Sequence, residues 1–167
     1  MMNIDPQAIA DLVQLNGGRI VGKTRLQKTF YFLEACDLGL GLDFQYYHYG
    51  PYSEDLSLAV DDAVALDVLS IDWKAGTNAP YAVFSVTSPN TIASSSDDDG
   101  RKKILSVLEK YDSISLELAA TADFLSRVGY ESDPWSETKI RKSTKATDEK
   151  VERAKRLLSD LGNLKAA

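Results

Sequence analysis

The chain reads as a mainly helical α+β protein, and three observations predict it. Apolar residues recur at helical spacing in three separate segments before residue 67, two β-prone runs joined by a turn-rich loop follow, and beyond residue 100 the pattern is helical throughout. Three helices followed by a β-hairpin is the order of a winged-helix domain, here with an extra short strand between the second and third helices. The reading is therefore a winged-helix-like domain over residues 1–90, a Ser/Asp-rich linker at 91–100 and a helical extension over 101–167.

The first helix is predicted from Pro6 to Asn16: Asp5 stands at its cap, Pro6 at its first position, Ile9, Leu12, Val13 and Leu15 on its apolar side, and Gly17-Gly18 after it. Thr24-x-x-Gln27 has the form of a capping box for a second helix, whose apolar face is Leu26, Phe30 and Leu33 and which Gly39 and Gly41 interrupt. Phe44 to Tyr49 is rich in aromatics and reads as a short strand entering a turn at Gly50-Pro51. Ser53 caps a third helix with Glu54 and Asp55 in its first turn and Leu56, Ala59, Val60 and Ala63 as its buried stripe. Val68 to Trp73 and Tyr81 to Thr87 form the hairpin around a loop containing Gly76, Asn78 and Pro80. Ser88 to Gly100, with Pro89 and its aspartates, has the composition of a connection. Ile104, Val107, Leu108 and Tyr111, then Ile114, Leu118, Ala122, Leu125 and Val128, give two more helices, and Val151, Ala154, Leu158 and Leu161 a final one with Gly162 past its end.

Composition excludes several classes. A 167-residue chain with 44% hydrophobic residues can bury a core, and no stretch is apolar for the ~18 residues that a membrane span requires. With no basic segment ahead of an apolar run near Met1, a cytoplasmic protein is expected. One Cys and one His leave too few ligands for a Cys/His zinc site, and no cofactor is expected. The net charge of -6 is unevenly spread: residues 1–99 hold 5 basic and 14 acidic residues (-9), residues 100–167 hold 14 and 11 (+3).

Two motifs resemble catalytic or metal-binding patterns. Gly17-Gly-Arg-Ile-Val-Gly22-Lys23-Thr24 satisfies the P-loop pattern, in which backbone amides cradle phosphates, Lys23 reaches them and Thr24 holds magnesium. That chemistry needs a buried strand immediately before the loop, whereas Asp11 to Asn16 is helix-patterned, so the motif reads as a Gly-rich turn between two helices and the chain as a non-enzyme. Asp97-Asp-Asp-Gly100 is short of a calcium loop, since Ser95 and Ser106 occupy its first and last ligand positions. Cys36 is flanked by Glu34 and Asp37 and reads as a core residue.

Candidate contact residues fall into two sets. Tyr46, Tyr47, His48, Tyr49 and Tyr52 concentrate aromatic rings with polar tips, the chemistry of a protein interface or of a packed core. Lys23, Arg25 and Lys28 on the second helix and Lys74 in the hairpin are the candidate phosphate contacts, although Glu54, Asp55, Asp61 and Asp62 on the third helix would repel a duplex. A second basic stretch, Lys139 to Lys145, reads as a solvated helix face.

The strings Val21-Gly-Lys-Thr-Arg-Leu-Gln-Lys-Thr-Phe-Tyr-Phe-Leu33 and Phe44-Gln-Tyr-Tyr-His-Tyr-Gly-Pro-Tyr-Ser-Glu-Asp-Leu56 resemble those of YwgA-like prokaryotic proteins and, more distantly, of the Panacea, or SocA-like, antitoxin domain. The matching residues are Leu26, Gln27, Lys28, Tyr31, Tyr49, Gly50 and Pro51, and Asp133-Pro-Trp135 is similar to a Pro-Trp pair late in some antitoxin members. The resemblance implies no catalytic residue; on the antitoxin side it implies a protein that binds and neutralises a toxin. The expected function is a non-catalytic protein-binding module, with an antitoxin or a regulatory component of a prokaryotic defence or stress system as candidate roles, a protein partner and a homodimer as candidate assemblies, and a winged-helix DNA-binding transcription regulator as the alternative.

Overall fold

The computed structural model describes residues 3–88 and 95–166. Its elements run α1 (Pro6–Leu15), β1 (Arg19–Val21), α2 (Lys23–Ala35), β2 (Gln45–Tyr47), β3 (Gly50–Tyr52), α3 (Glu54–Ala65), β4 (Leu69–Lys74), β5 (Tyr81–Val86), α4 (Asp98–Glu109), α5 (Ser113–Arg127), α6 (Pro134–Arg141) and α7 (Asp148–Ala166). Among the described residues this is a mixed, mainly helical fold with two small antiparallel sheets, one ordered β1-β5-β4 and the other the β2-β3 pair.

Local chemistry sets many of the boundaries. The Asp5 carboxylate accepts from the Gln7 amide and Pro6 opens α1 without needing a donor. Ser53 Oγ accepts from the Leu56 amide, and Glu54 and Asp55 lie in the first turn of α3, where the helix dipole favours them. Asp112 caps α5 through the Ser115 amide and hydroxyl, and also meets Lys150 at 2.9 Å on α7. Burial pushes that carboxyl up, but the Ser115 and Lys150 hydrogen bonds outweigh it and hold the group well below the usual carboxylate range.

Several expectations give way to the structure. Thr24 and Gln27 form no capping box: Gly22 is the cap of α2, without a side-chain bond. The Gln27 amide instead reaches Ser53, the cap of α3, donating to its O at 3.1 Å and accepting from its N at 2.9 Å. The Gly-rich turn between the first two helices contains a strand, β1, because Arg19–Val21 pairs in register with Val83 to Ser85 and Ile20 is buried beside Phe84. Gly50-Pro51 is not the turn after an aromatic strand; it begins β3, and the two-residue turn is His48-Tyr49. That places His48 at an exposed hairpin tip rather than within a strand. Helix α7 continues through Gly162, carried by tertiary packing of Val151, Ala154, Leu157 and Leu161. Of the expected linker, residues 89–94 lie outside the described residues, and Asp98 to Gly100 already form the first turn of α4, where their charge suits the dipole.

The four C-terminal helices pack on the earlier elements. One core cluster joins Ile9, Phe30, Phe32, Leu56 and Phe84 to Ile104, Leu108, Leu116, Leu118 and Leu157. Helix α5 lies at its centre, touching α2, β3, α6 and α7. Helix α2 is enclosed on every side, with each residue from Leu26 to Leu33 buried. Polar ties cross the junction as well: Arg25 donates to Leu108 O at 3.3 Å and Tyr111 O at 2.5 Å at the C-terminal end of α4, and Arg101 donates to Leu38 O at 2.8 Å.

Candidate functional site

The β2-β3 hairpin carries the tyrosines, and its shape follows from one residue. A turn of only two residues brings Tyr47 opposite Gly50, and Gly50 adopts φ +90°, which L side chains rarely take. A Cβ there would also stand 2.5 Å from Thr121 Oγ1 and 3.8 Å from Lys28 Nζ, so the hairpin backbone lies directly on α5 and α2.

Beneath it lies a polar cluster that the sequence did not reveal. Lys28, 1% exposed, donates to Pro51 O at 2.8 Å. Lys142, 6% exposed on the turn after α6, donates to His48 O at 2.7 Å. Both ammonium groups therefore hold hairpin carbonyls. Their shared counter-charge is Glu117 of α5, 2% exposed, which accepts from Lys145 at 3.2 Å through Oε1 and has Lys145 at 2.9 Å and Lys142 at 3.9 Å from Oε2. Oε2 forms ion pairs but receives no well-directed hydrogen bond, and Thr121 Oγ1, fully buried, has none either among the described residues. Burial pushes the Lys28 ammonium down to about 8, with Glu117 opposing and Lys142 and Lys145 assisting, and burial lowers Lys142 too.

The sign of the resulting pH dependence is fixed. With a folded pKa near 8 against 10.5 for the ordinary side chain, the unfolded chain binds more protons between those values, so stability rises with pH across that window. Tyr31 is pushed up by burial and by Asp123, and Tyr111 to about 12 by burial and by Asp160; both keep their protons when folded, so their contribution is lost above about pH 10. Urea midpoints are expected to climb from about pH 8 to about pH 10 and then fall. Lys28→Met should flatten the climb; a wild-type profile already flat over that range refutes the assignment.

The tyrosines divide by face. Tyr46 turns inward against Phe124, centroids 6.2 Å apart, under the Arg141 guanidinium at 4.7 Å, which also faces Tyr130 at 5.6 Å. Tyr49 lies at the tip with Lys145 4.9 Å and Lys142 5.9 Å from its ring. Tyr47 packs edge-on to half-buried Tyr52 at 5.2 Å. Tyr47 and Tyr49 remain 42% and 59% exposed, with His48 exposed between them.

No family model matches this chain. It is similar to the protein named Uncharacterized protein YwgA of Bacillus subtilis (strain 168), 24% identical over 149 residues, which are 87% of this chain and 90% of the relative. That likeness covers most of this chain, well beyond the two strings that carried the resemblance.

The candidate phosphate contacts are scattered. Lys28 is buried and Arg25 caps α4, so neither offers a free cation at the surface. Lys23 is exposed with its ammonium 5.2 Å from the Trp73 ring, and Lys74 pairs with Asp72 at 2.9 Å. In the P-loop-like segment the amides of Gly17, Gly18 and Gly22 donate to Gln14 O, Val13 O and Ala82 O. Cys36 is half-buried, and burial pushes its thiol up. Among the described residues no group of three or more His, Cys, Asp or Glu side chains is placed to hold a metal, and no helix is long and apolar enough to cross a membrane.

Glu117, Thr121 and Tyr130 carry no signal for this site in the sequence, and Lys142 and Lys145, expected on a solvated helix face, instead lie against Glu117, with Lys142 only 6% exposed. The one available signal was in α2, where the four consecutive residues Phe30, Tyr31, Phe32 and Leu33 place apolar groups on every side of the helix and so leave Lys28 no solvent face.

Proposed function

We propose that the chain is a non-catalytic protein-binding module whose contact surface is the tip of the β2-β3 hairpin. The observation that carries this is the pairing of exposed Tyr47, His48 and Tyr49 with a backbone held from below by Lys28 and Lys142. Rigid, amphipathic rings presented on a fixed backbone bind with little ordering cost. The glycine amides of residues 17–22 are already hydrogen-bonded within the main chain, which favours a turn over a phosphate cradle. A winged-helix-like N-terminal part is supported by the order α1-β1-α2-α3-β4-β5, with the β2-β3 hairpin inserted between α2 and α3, around the antiparallel β1-β5-β4 sheet. Its use on DNA would rest on Lys23 and Lys74, beside the exposed Glu54, Asp61 and Asp62 of α3, and the charge balance favours a protein partner instead. The resemblance to antitoxin domains makes a toxin the partner class to test first.

The test compares native-lysate capture by the wild type and by Tyr47→Ala/Tyr49→Ala, with captured proteins identified by mass spectrometry. A partner retained by the first and depleted at least about tenfold by the second is expected, since exposed aromatic anchors carry ~2 kcal/mol each at interfaces. Equal capture by both removes the hairpin as the contact surface.

A further inference from the structure

The hairpin separates two surfaces of opposite charge. Toward α6, Arg141, Lys142 and Lys145 lie over the rings of Tyr46 and Tyr49. Toward α3, Asp43, Gln45, Tyr47, Tyr52, Glu54 and Asp55 wall an open cleft of about 140 Å³. The polar ends of these six side chains have no hydrogen-bond or ion-pair partner among the described residues, although the two rings pack edge to face. The surface continues along α3, where Glu54, Leu58, Asp61 and Asp62 share one exposed helix face and Leu58 is 58% exposed. Between Lys28 and Lys74 the chain contains no Lys or Arg, while it contains nine Asp and Glu. No cation from this stretch faces the cleft; Lys23 of α2 lines the adjoining pocket with Tyr52 and Asp61, its ammonium 5.2 Å from the Trp73 ring, and the lysines across the hairpin are held by Glu117 and by backbone carbonyls.

Helix capping accounts for Glu54 and Asp55 at the N-terminus of α3, but not for Asp43, which precedes the hairpin, nor for Asp61 and Asp62 two turns further on. A face whose charged side chains are all carboxylates favours a ligand of opposite charge. Tyr47 and Tyr52 give such a ligand aromatic edges and faces on which an ammonium or guanidinium group is favourably placed.

We propose that the cleft and the exposed face of α3 dock a basic amphipathic segment of a partner protein, with a Lys or Arg side chain in the cleft and an apolar side chain on Leu58. This rests on the protein-binding reading above and names the chemistry of the partner. The occupant is a cationic peptide segment rather than an acidic or nucleic-acid chain, because the carboxylates would repel either of those.

The test uses a fluorescein-labelled amphipathic Leu/Lys peptide of about 18 residues, and its Leu/Glu counterpart, titrated with the full chain and followed by anisotropy. The wild type is expected to bind the Leu/Lys peptide alone, with a Kd that weakens as salt rises. Asp43→Lys/Glu54→Lys/Asp55→Lys should weaken binding at least about tenfold. A control with the same change in net charge, Glu131→Lys/Asp148→Lys/Glu149→Lys, should alter it less than about twofold. Asp43→Lys alone, outside any helix, repeats the comparison in a variant whose thermal melt is expected to match the wild type. Equal weakening by cleft and control variants overturns the proposal, as does absence of wild-type binding at low salt. If Tyr47→Ala/Tyr49→Ala abolishes partner capture while cleft reversal changes neither capture nor peptide affinity, the hairpin interface stands and the basic-segment proposal falls.

Discussion

Replacing Glu117 by alanine is expected to destabilise the chain by about 3–5 kcal/mol, the range for breaking a buried ion pair from one side. The carboxylate is the counter-charge shared by three ammonium groups, and their exposures decide what happens when it is removed. Lys145, with its side chain 36% exposed, can swing to solvent. Lys28 and Lys142 cannot: they are 1% and 6% exposed and fixed to Pro51 O and His48 O. Two desolvated cations would then face each other without compensation, and the least expensive escape is deprotonation of Lys28, whose pKa burial has already lowered to about 8. Glu117→Gln keeps the shape and removes only the charge, so most of the loss should persist in that variant. A Lys28→Met background provides the decisive comparison. With one cation gone, Glu117→Ala should cost less by about 1 kcal/mol or more, a coupling measurable by urea denaturation of the four proteins. Equal costs in both backgrounds would mean that Glu117 acts by packing alone.

That cluster also marks where the sequence became unreadable. Features decided by neighbouring residues were legible: Asp5 with Pro6, Ser53 with Leu56, and the buried stripe Leu56, Ala59, Val60 and Ala63 all stand where the local rules put them. So did the β4-β5 hairpin, whose strands are adjacent in the chain. Helix rules look only three or four residues away and so make Gln27 a cap and Lys28 a surface cation. Their actual partners, Ser53 and Pro51, lie 26 and 23 positions on, and Lys142 finds His48 across 94. Strand β1 was hidden for the same reason, since three residues form a strand only when β5 supplies the ladder. Gly162 was read as a stop because glycine weakens an isolated helix by about 1 kcal/mol; a helix buried along Val151, Ala154, Leu157 and Leu161 absorbs that. The tyrosines were located correctly in the chain, but which of them face outward depends on a turn at His48-Tyr49 that only the pairing of Tyr47 with Gly50 defines.

Gly50 is the residue on which that pairing depends, and Gly50→Ala is expected to cost about 3 kcal/mol from two separable sources. The first is conformational. At φ +90° an L residue is strained wherever it sits, and no movement of neighbours relieves it. The second is steric: the new methyl would stand 2.5 Å from Thr121 Oγ1, and Thr121 is fully buried in α5. Thr121→Ala separates the two. Its Oγ1 makes no hydrogen bond among the described residues, so the single change should cost only the lost packing, about 1 kcal/mol. In the double variant the overlap disappears while the φ strain remains, and Gly50→Ala should there cost less by about 1 kcal/mol or more than in the wild-type background. The hairpin tip reports the same event independently: pushing β3 off α5 lengthens the Lys28 and Lys142 contacts to Pro51 O and His48 O, so Gly50→Ala should weaken partner capture as much as the tyrosine changes do, and Thr121→Ala should partly restore it. Additive stabilities in the four proteins would place the whole cost in the backbone and leave the contact with α5 without a role in setting the hairpin.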